Sequence, residues 1–532
     1  MTALDQLRTA LEDAAADLRG STPPPRARPT LERSRKADFG DYSSNAAMLL
    51  APLLGEPPRA VAERLGAAVS GKLPGRISRV DVAGPGFLNL FLADAWYADA
   101  LAGILEAGEA YGGGGTMRPE RIDVEFVSAN PTGPIHLGHA RNAAYGDAIC
   151  RLLAFHGHDV HREFYVNDAG AQVPKFAAAI QARARGEEPE EYVGAYITEL
   201  AAKIPGAASM DLEALGRAGV EHILEGMRDS LGRFRVEPFG TWFSERSLFA
   251  GDPSPIDRAL VELDAHGSTY HAEDALWLRS SSYGDDKDRV LVKSDGTHTY
   301  LAPDIAYHQD KRERGFERLI DVWGADHHGY VQRMKAAYGA LGSDPDELEL
   351  LIMQFVNLVR GGRPVPMSKR AGEFISLDEL VDEIGSDAAR WYLLARSHDT
   401  TIEVDLELAA RESADNPVYY VQYAHARIAN ILARAGAGSD PTPSQPLEPA
   451  ERMLVKKLVA FGAEVTEAAE RRAPHRIATY VLDLARDFAG FYEQCKVVGS
   501  DQEPFRLALC EATQRVIARS LDLLGVTAPD SM

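Results

Sequence analysis

The chain has only three cysteines in 532 residues, Cys150, Cys495 and Cys510. They are scattered, which excludes a disulfide framework and a zinc-thiolate site. Long hydrophobic runs are missing too: stretches such as "AAMLLAPLL" fall far short of the ~20 residues that cross a bilayer. The start, "MTALDQLRTALEDAAADLRG", is an amphipathic helix pattern with early acids. It lacks the basic opening and apolar centre of a signal peptide. These absences point to a soluble protein of the reducing cytoplasm. Positive charge is also in short supply, 57 Lys and Arg against 79 Asp and Glu, for a net charge of −22. A nucleic-acid partner must then meet a local basic face, because the whole-molecule field repels it. One candidate is "LRGSTPPPRARPTLERSRKAD", where Arg19, Arg26, Arg28, Arg33, Arg35 and Lys36 face only Glu32 and Asp38. Its composition fits a solvated basic loop and an RNA contact equally well.

The length suggests about three to five domains. In the first hundred residues, a helix over 3–18 precedes a Pro-rich turn. "DYSSNAAMLLAPLLG" and "PRAVAERLGAAVSGKL" read as helices, and "ISRVDVAGPGFLNLFL" as two strands broken at Gly84-Pro85-Gly86. The four glycines of "YGGGG" (111–115) lack both G-x-G-x-x-G spacing and a P-loop lysine, so they read as a flexible hinge rather than a phosphate cradle. After them, "RIDVEFVSA" (121–129) alternates as a strand, "GHARNAAYGDAICRLLAFHG" is a helix ending at Gly157, and "DVHREFYVN" is the next strand. Strand–helix–strand units of these lengths imply a parallel sheet. Residues 175–240 are helical, acidic and insertional in pattern. Strands resume at "ALWLRS", "DRVLVKSDG" and "LIDVWGAD", followed by an aperiodic Gly/Pro/Lys/Arg loop at 361–372. Beyond 400 the pattern is almost all helix, over roughly 407–435, 450–471, 473–495 and 503–524.

The stretch with the most chemistry is "NPTGPIHLGH", residues 130–139. A strand that feeds a Pro/Gly turn and then a helix delivers groups to the carboxyl edge of a parallel sheet, where such folds bind nucleotides. The helix N-terminus offers unpaired N–H groups and a positive dipole end to an anion. His136 and His139 lie three apart, so both can face one phosphate chain. Gly138 removes a side chain where a base or ribose must approach the backbone.

These residues resemble the class I aminoacyl-tRNA synthetases, whose first signature is His-x-Gly-His at this junction. Their second, a Lys-Met-Ser-Lys-Ser loop, is matched by "PMSKR", Pro366 to Arg370. The finer resemblance is to the arginyl-tRNA synthetase family and covers nearly the whole chain. It rests on "FGDYSSNAAM", "VAGPGFLNLFL", "EFVSANPTGPIHLGHARNA", "YLAPDIAYH", "WGADHHGYVQRMKA", "MSKRAGEFISLDELV", "NPVYYVQYAHARI" and "LGVTAP". The resemblance implies an α/β, Rossmann-like parallel-sheet catalytic core (116–400) with a helical insertion near 175–240. It also implies an N-terminal α+β tRNA-binding domain (1–110) and a C-terminal all-α, anticodon-binding bundle (401–532).

The implied activity is arginine–tRNA ligation through an arginyl-adenylate, using ATP with Mg²⁺, in a cytoplasmic monomer that binds its tRNA before activating the amino acid. The N-terminal domain then touches the tRNA's outer corner. Family matching puts Glu125, Tyr300, Asp304 and Asp326 in the amino-acid pocket, with Ser128 and Asn130 on the substrate's amino and carboxylate groups. A guanidinium, planar and always charged, calls for fixed carboxylates. Tyr300 and Asp304 are four apart, consistent with one helical face. His139 falls between amino acid and ATP. His136, Gly138, Met367, Ser368 and Lys369 fall on ATP, and Arg370 adds a second charge to the loop. Ser376 to Glu379, "SLDE", is a capping box for the next helix.

Two departures stand out: Pro366 replaces the loop's first lysine, and Asp530-Ser531 replace a common terminal Glu-Arg pair. In the tail, Tyr419, Tyr423 and Arg427 are candidates to stack on unpaired tRNA bases, with at least one tyrosine of the cluster expected in the core. A zinc site from His156, His158 and His161, or from Asp326, His327 and His328, has no supporting cysteine, and no structural metal is expected. The rival readings are a small-molecule nucleotidyltransferase and a catalytically inactive tRNA-binding paralogue. The long helical tail opposes the first, and intact His136, Gly138, His139, Ser368 and Lys369 oppose the second.

Overall fold

A computed structural model describes residues 2–34, 37–365, 375–435 and 438–532. At its centre five parallel strands run in the order Leu348–Met353, Arg318–Gly324, Arg121–Glu125, Asp159–Val166, Thr241–Ser244. The helix Leu137–His156 connects the central strand to its neighbour and carries the first signature at its N-terminus. Most of its residues are buried, because sheet and C-terminal helices enclose it. Gly146 is the point of closest approach: a Cβ there would lie 2.2 Å from the Phe126 ring. The helices expected over 175–240 are present as Gln172–Ala184, Ala195–Lys203 and Leu212–Arg233. A separate three-stranded antiparallel sheet, Thr269–Ala272, Ala275–Leu278 and Arg289–Val292, adjoins a second apolar core built on Ile305, Met334 and Leu348.

The N-terminal unit folds helices Ala3–Arg19, Ala46–Leu54 and Pro58–Lys72 over a four-stranded antiparallel sheet. The C-terminal helices are Pro417–Arg434, Pro449–Val459, Phe461–Glu470, His475–Gln494 and Glu503–Leu523. This is the expected architecture: a parallel α/β core, an α+β unit before it and a helical unit after it. Among the described residues, no helix is long and apolar enough to cross a membrane.

Four local expectations are corrected. Tyr42–Ser44 is a strand rather than the start of a helix, because it pairs with Phe87–Leu92 and buries Tyr42. The strand expected over 121–129 stops at Glu125. The tail helix expected from 407 begins at Pro417, after a strand, Ile402–Asp405, that pairs in parallel with Val356–Arg360. Asn416-Pro417 forces the break: proline favours a first helical position and restricts the residue before it. Finally, the glycine run is a packed connector rather than a hinge. Gly112 abuts the Phe461 ring and Gly113 the Phe155 ring, and Gly114 N–H donates to Phe155 C=O at 2.8 Å.

Candidate active site

Past Glu125 the chain turns sharply at the carboxyl edge of the sheet. Val127 (φ 68°) and Ser128 (φ 42°) both take left-handed backbone conformations. Side chains with a Cβ are disfavoured there, at a cost of about 1–3 kcal/mol each, so the surroundings must hold them. Asn142, one helical turn and more into the Leu137–His156 helix, does so. Its Oδ1 accepts from Val127 N–H at 2.6 Å, and its amide donates to Val322 C=O at 2.7 Å. Ser128 Oγ donates to Glu125 Oε1 at 2.9 Å and accepts from Tyr165 N–H at 3.1 Å.

His136 caps the helix, its Nδ1 accepting from Gly138 N–H at 3.1 Å. The His136 and His139 rings stack with centroids 3.9 Å apart. A Cβ at Gly138 would stand 3.0 Å from the His136 ring, so the glycine makes room for the ring itself. The second signature, Pro366 with Met367, Ser368, Lys369 and Arg370, lies outside the described residues. Its flank is nonetheless pinned to the first signature: Leu137 N–H donates to Ile375 C=O at 3.1 Å, and Leu377 N–H to Ile135 C=O at 2.9 Å. Ser376 and Glu379 form the expected capping box there. The start of the Leu377–Leu394 helix is therefore held against the first signature.

Beside this edge lies a group of acids. Asp304, in the first turn of the helix Leu301–Glu313, has its carboxyl pushed up to about 6 by burial, although Tyr330 Oη donates to its Oδ2 at 2.5 Å. Glu245, just after the edge strand Thr241–Ser244, is also shifted upward by burial, with the Asp304 charge adding to the effect. Its Oε2 is buried without a hydrogen-bond partner. Glu125, Asp304 and Glu245 all bear on the half-buried Tyr165 phenol. Neither Asp304 nor Glu245 has a basic partner within ion-pair distance among the described residues. Two half-buried carboxylates with no cation at hand among the described residues make a site that attracts one.

The remaining expected residues are exposed. Asn130 is exposed, Tyr300 is 90 % exposed, and Asp326 is largely exposed beside His327 at 3.2 Å. Tyr300 and Asp304 thus share a helix but not an environment. Sequence reasoning missed Glu245 and Tyr330. The only available signal for Glu245 was its place at the carboxyl end of a parallel strand, and "TWFS" is too short to stand out.

A row of acids crosses the sheet nearby. Asp321, Glu125 and Glu163 are direct neighbours in register on three adjacent strands, and Asp123 lies two residues before Glu125 on the same face. The helix Leu301–Glu313 and its C-terminal flank lay cations across them. Lys311 Nζ is 2.9 Å from Glu125 Oε2, 2.9 Å from Asp321 Oδ1 and 3.2 Å from Asp123 Oδ2. Arg314 donates to both oxygens of Glu163, at 2.6 and 2.8 Å, and Tyr307 Oη donates to Oε1 at 2.8 Å. Burial works against the Lys311 charge, but the surrounding carboxylates hold it well above the usual lysine range. Burial pushes Asp123 up to about 7, and neither of its oxygens makes a hydrogen bond.

Asp123, His161 and Glu163 have metal-ligand spacing. Glu163 is already matched by Arg314 and Tyr307, so the donor set does not fit a resident ion. The other histidines do not join them: His156 Nδ1 faces His158 Nε2 at 3.4 Å, while His161 Nε2 faces Thr241 Oγ1 at 2.9 Å.

Residues 5–92 match the family model described as arginyl tRNA synthetase N terminal domain, and 421–532 match the DALR anticodon binding domain. Residues 101–199 and 253–432 match the catalytic domain of class I (R) tRNA synthetases. The arginine–tRNA ligase of Geobacillus kaustophilus is 45% identical over 94% of both chains. The chain belongs to the arginyl-tRNA synthetase family. Solved structures agree. A putative arginyl-tRNA synthetase from Campylobacter jejuni superposes with a TM-score of 0.77 at 36% identity, covering 83% of this chain and 100% of that one. Arginyl-tRNA synthetase of Thermus thermophilus gives a TM-score of 0.77 at 25% identity, covering 99% and 100%. As an arginyl-tRNA synthetase, the chain is an ATP-dependent ligase with a class I catalytic domain and an anticodon-binding domain.

In that last domain, Tyr419 and Tyr423 stack at 6.3 Å with planes 8° apart. Arg427 donates to Tyr423 Oη at 2.9 Å and lies over its ring. Tyr420 packs against the core, whereas Tyr423 is 41 % exposed. His425 is buried and holds the C-terminal segment through Pro529 C=O at 2.9 Å.

Proposed function

We propose that this arginyl-tRNA synthetase binds its substrate's guanidinium between Asp304 and Glu245. The carrying observation is that pair of half-buried carboxylates with no cation within ion-pair distance among the described residues. A planar, permanently charged group supplies what they lack and can hydrogen-bond both. Glu125, Ser128 and Asn130 then take the substrate's α-amino and carboxylate end, with Tyr300 and Asp326 closing over it from the rim. His139 stands between amino acid and ATP, while His136 and Gly138 face the nucleotide.

The arginine carboxylate attacks the α-phosphorus, forming the adenylate as pyrophosphate departs. A ribose hydroxyl of the terminal tRNA adenosine then attacks the activated carbonyl and AMP leaves. Positioning and charge stabilisation suffice for both steps. Ser368, Lys369 and Arg370 supply positive charge and a hydrogen bond to the departing phosphates, and Met367 lines the nucleotide. Pro366 offers the phosphates no cation, and Lys369, Arg370 or Arg363 serves in its place. Mg²⁺ enters on the ATP phosphates without a protein ligand.

The domain limits in this reading are 1–110, 116–400 and 401–532. Tyr419, Tyr423 and Arg427 offer a stacking surface to unpaired bases of the arginine-accepting tRNA. The protein works as a cytoplasmic monomer and requires tRNA for activation. The test is radiolabelled pyrophosphate exchange with each amino acid, with and without tRNA. Exchange with arginine alone, and only when tRNA is present, is expected. Exchange driven by another amino acid would overturn the specificity. None under any condition would favour the inactive paralogue.

A further inference from the structure

Three like charges side by side on adjacent strands repel, and burial removes the water that would screen them. Asp321, Glu125 and Glu163 stand in that relation. Arg314 and Tyr307 satisfy Glu163 alone, and the other two share one ammonium, that of Lys311. From it two hydrogen-bonded chains run toward the pocket. In one, Lys311 Nζ donates to Glu125 Oε2 at 2.9 Å, and Glu125 Oε1 accepts from Ser128 Oγ at 2.9 Å. In the other, Lys311 donates to Asp321 Oδ1 at 2.9 Å, and Asp321 Oδ2 faces His308 Nε2 at 2.8 Å. The second ring nitrogen of His308, Nδ1, lies 2.7 Å from the Asp304 carbonyl oxygen. Both ring nitrogens thus face oxygen acceptors, and Asp321 raises the hold of His308 on its proton against the effect of burial.

We propose that Lys311 is a positioning residue for amino-acid binding, whose ammonium ties the Glu125–Ser128 side and the Asp304 side of the pocket to one fixed point behind the sheet. This rests on the reading of Glu125 and Asp304 as arginine-binding. Lys311 itself is fully buried and touches no substrate. Without it, Glu125 and Asp321 face each other in register with no cation between them. They part or take up a proton, and Glu125 no longer holds Ser128 in place. ATP sits against the helix N-terminus, which Lys311 does not reach, so the two substrates respond differently.

The experiment is aminoacylation by the full chain with tRNA, comparing Lys311→Met, Glu125→Gln and the double variant. Lys311→Met is expected to raise the arginine KM by about tenfold or more while the ATP KM stays within about twofold. Because Lys311 acts through Glu125, the double variant should lose less than the product of the two single losses, by about fivefold. Equal rises in both KM values, or multiplicative losses, would overturn the proposal as a purely structural role predicts. If Glu125→Gln raises the arginine KM and Lys311→Met does not, the proposal fails and the pocket stands. If Glu125→Gln changes nothing, the pocket assignment and the proposal fall together. Should Lys311→Met not fold, Lys311→Met/Asp123→Asn removes an acid along with the cation and is read against Asp123→Asn. Failure of both to fold assigns Lys311 to stability alone and refutes the positioning role.

Discussion

Asp304→Asn is expected to weaken substrate binding and strengthen the fold. The carboxyl is displaced from its usual value of 3.8 to about 6, chiefly by burial. Ionised at pH 8, it costs the folded state about 3 kcal/mol relative to the unfolded chain, some two pKa units at 1.36 kcal/mol each. The sign follows from proton counting. Between pH 4 and 6 the folded state holds a proton that the unfolded state has released, so this group lowers stability as pH rises, with the full penalty above pH 6. Asparagine carries no such penalty and still accepts from Tyr330 Oη, now at 2.5 Å from Asp304. Urea unfolding should therefore show the variant more stable by about 3 kcal/mol at pH 8, narrowing to about half that at pH 5.

Binding moves the other way. Removing one partner of a buried, hydrogen-bonded charge pair costs about 2–5 kcal/mol, or roughly 30- to 5,000-fold in the arginine KM. In the wild-type protein arginine affinity should also fall as pH drops through about 6. That limb should be lost in Asp304→Asn. An unchanged arginine KM, or a variant less stable at pH 8, would refute the reasoning.

Glu245→Gln should raise the arginine KM by at least about tenfold with little change for ATP, measured by the same aminoacylation assay. Asn142→Ala leaves the Val127 N–H and Val322 C=O without their partner, so a loss of about 2 kcal/mol or more in urea unfolding is expected, with lowered kcat. Binding of tRNA, followed by filter retention from 50 to 200 mM salt, should weaken steeply despite the net charge of −22. A flat salt response would exclude a local basic face.

Much of this architecture is legible in the residues, because hydrophobic period and helix punctuation act locally. The helix Leu137–His156 announces itself by its histidine-containing turn and closing glycine, and the capping box at Ser376 by its spacing. What escapes a linear reading depends on partners distant in sequence. Val127 is β-branched and reads as strand, yet Asn142 holds it in a left-handed turn. Four glycines read as slack until Phe461 and Phe155 close on them. Tyr300 and Asp304 share a helical face by spacing, but burial separates them. Glu245 is one acid among 79 Asp and Glu, and only its buried Oε2 beside Asp304 distinguishes it. Lys311 likewise gains meaning only from Asp123, Glu125 and Asp321 converging on it.

The central claim is that half-buried carboxylates select a planar cation. Citrulline matches arginine in shape but carries no charge, so it isolates that claim. The direct measurement is the ratio of kcat/KM for arginine over citrulline in aminoacylation at pH 8. A ratio of at least about a thousand is expected, since a neutral side chain leaves Asp304 and Glu245 half-buried and unmatched. A ratio within about tenfold would contradict the claim.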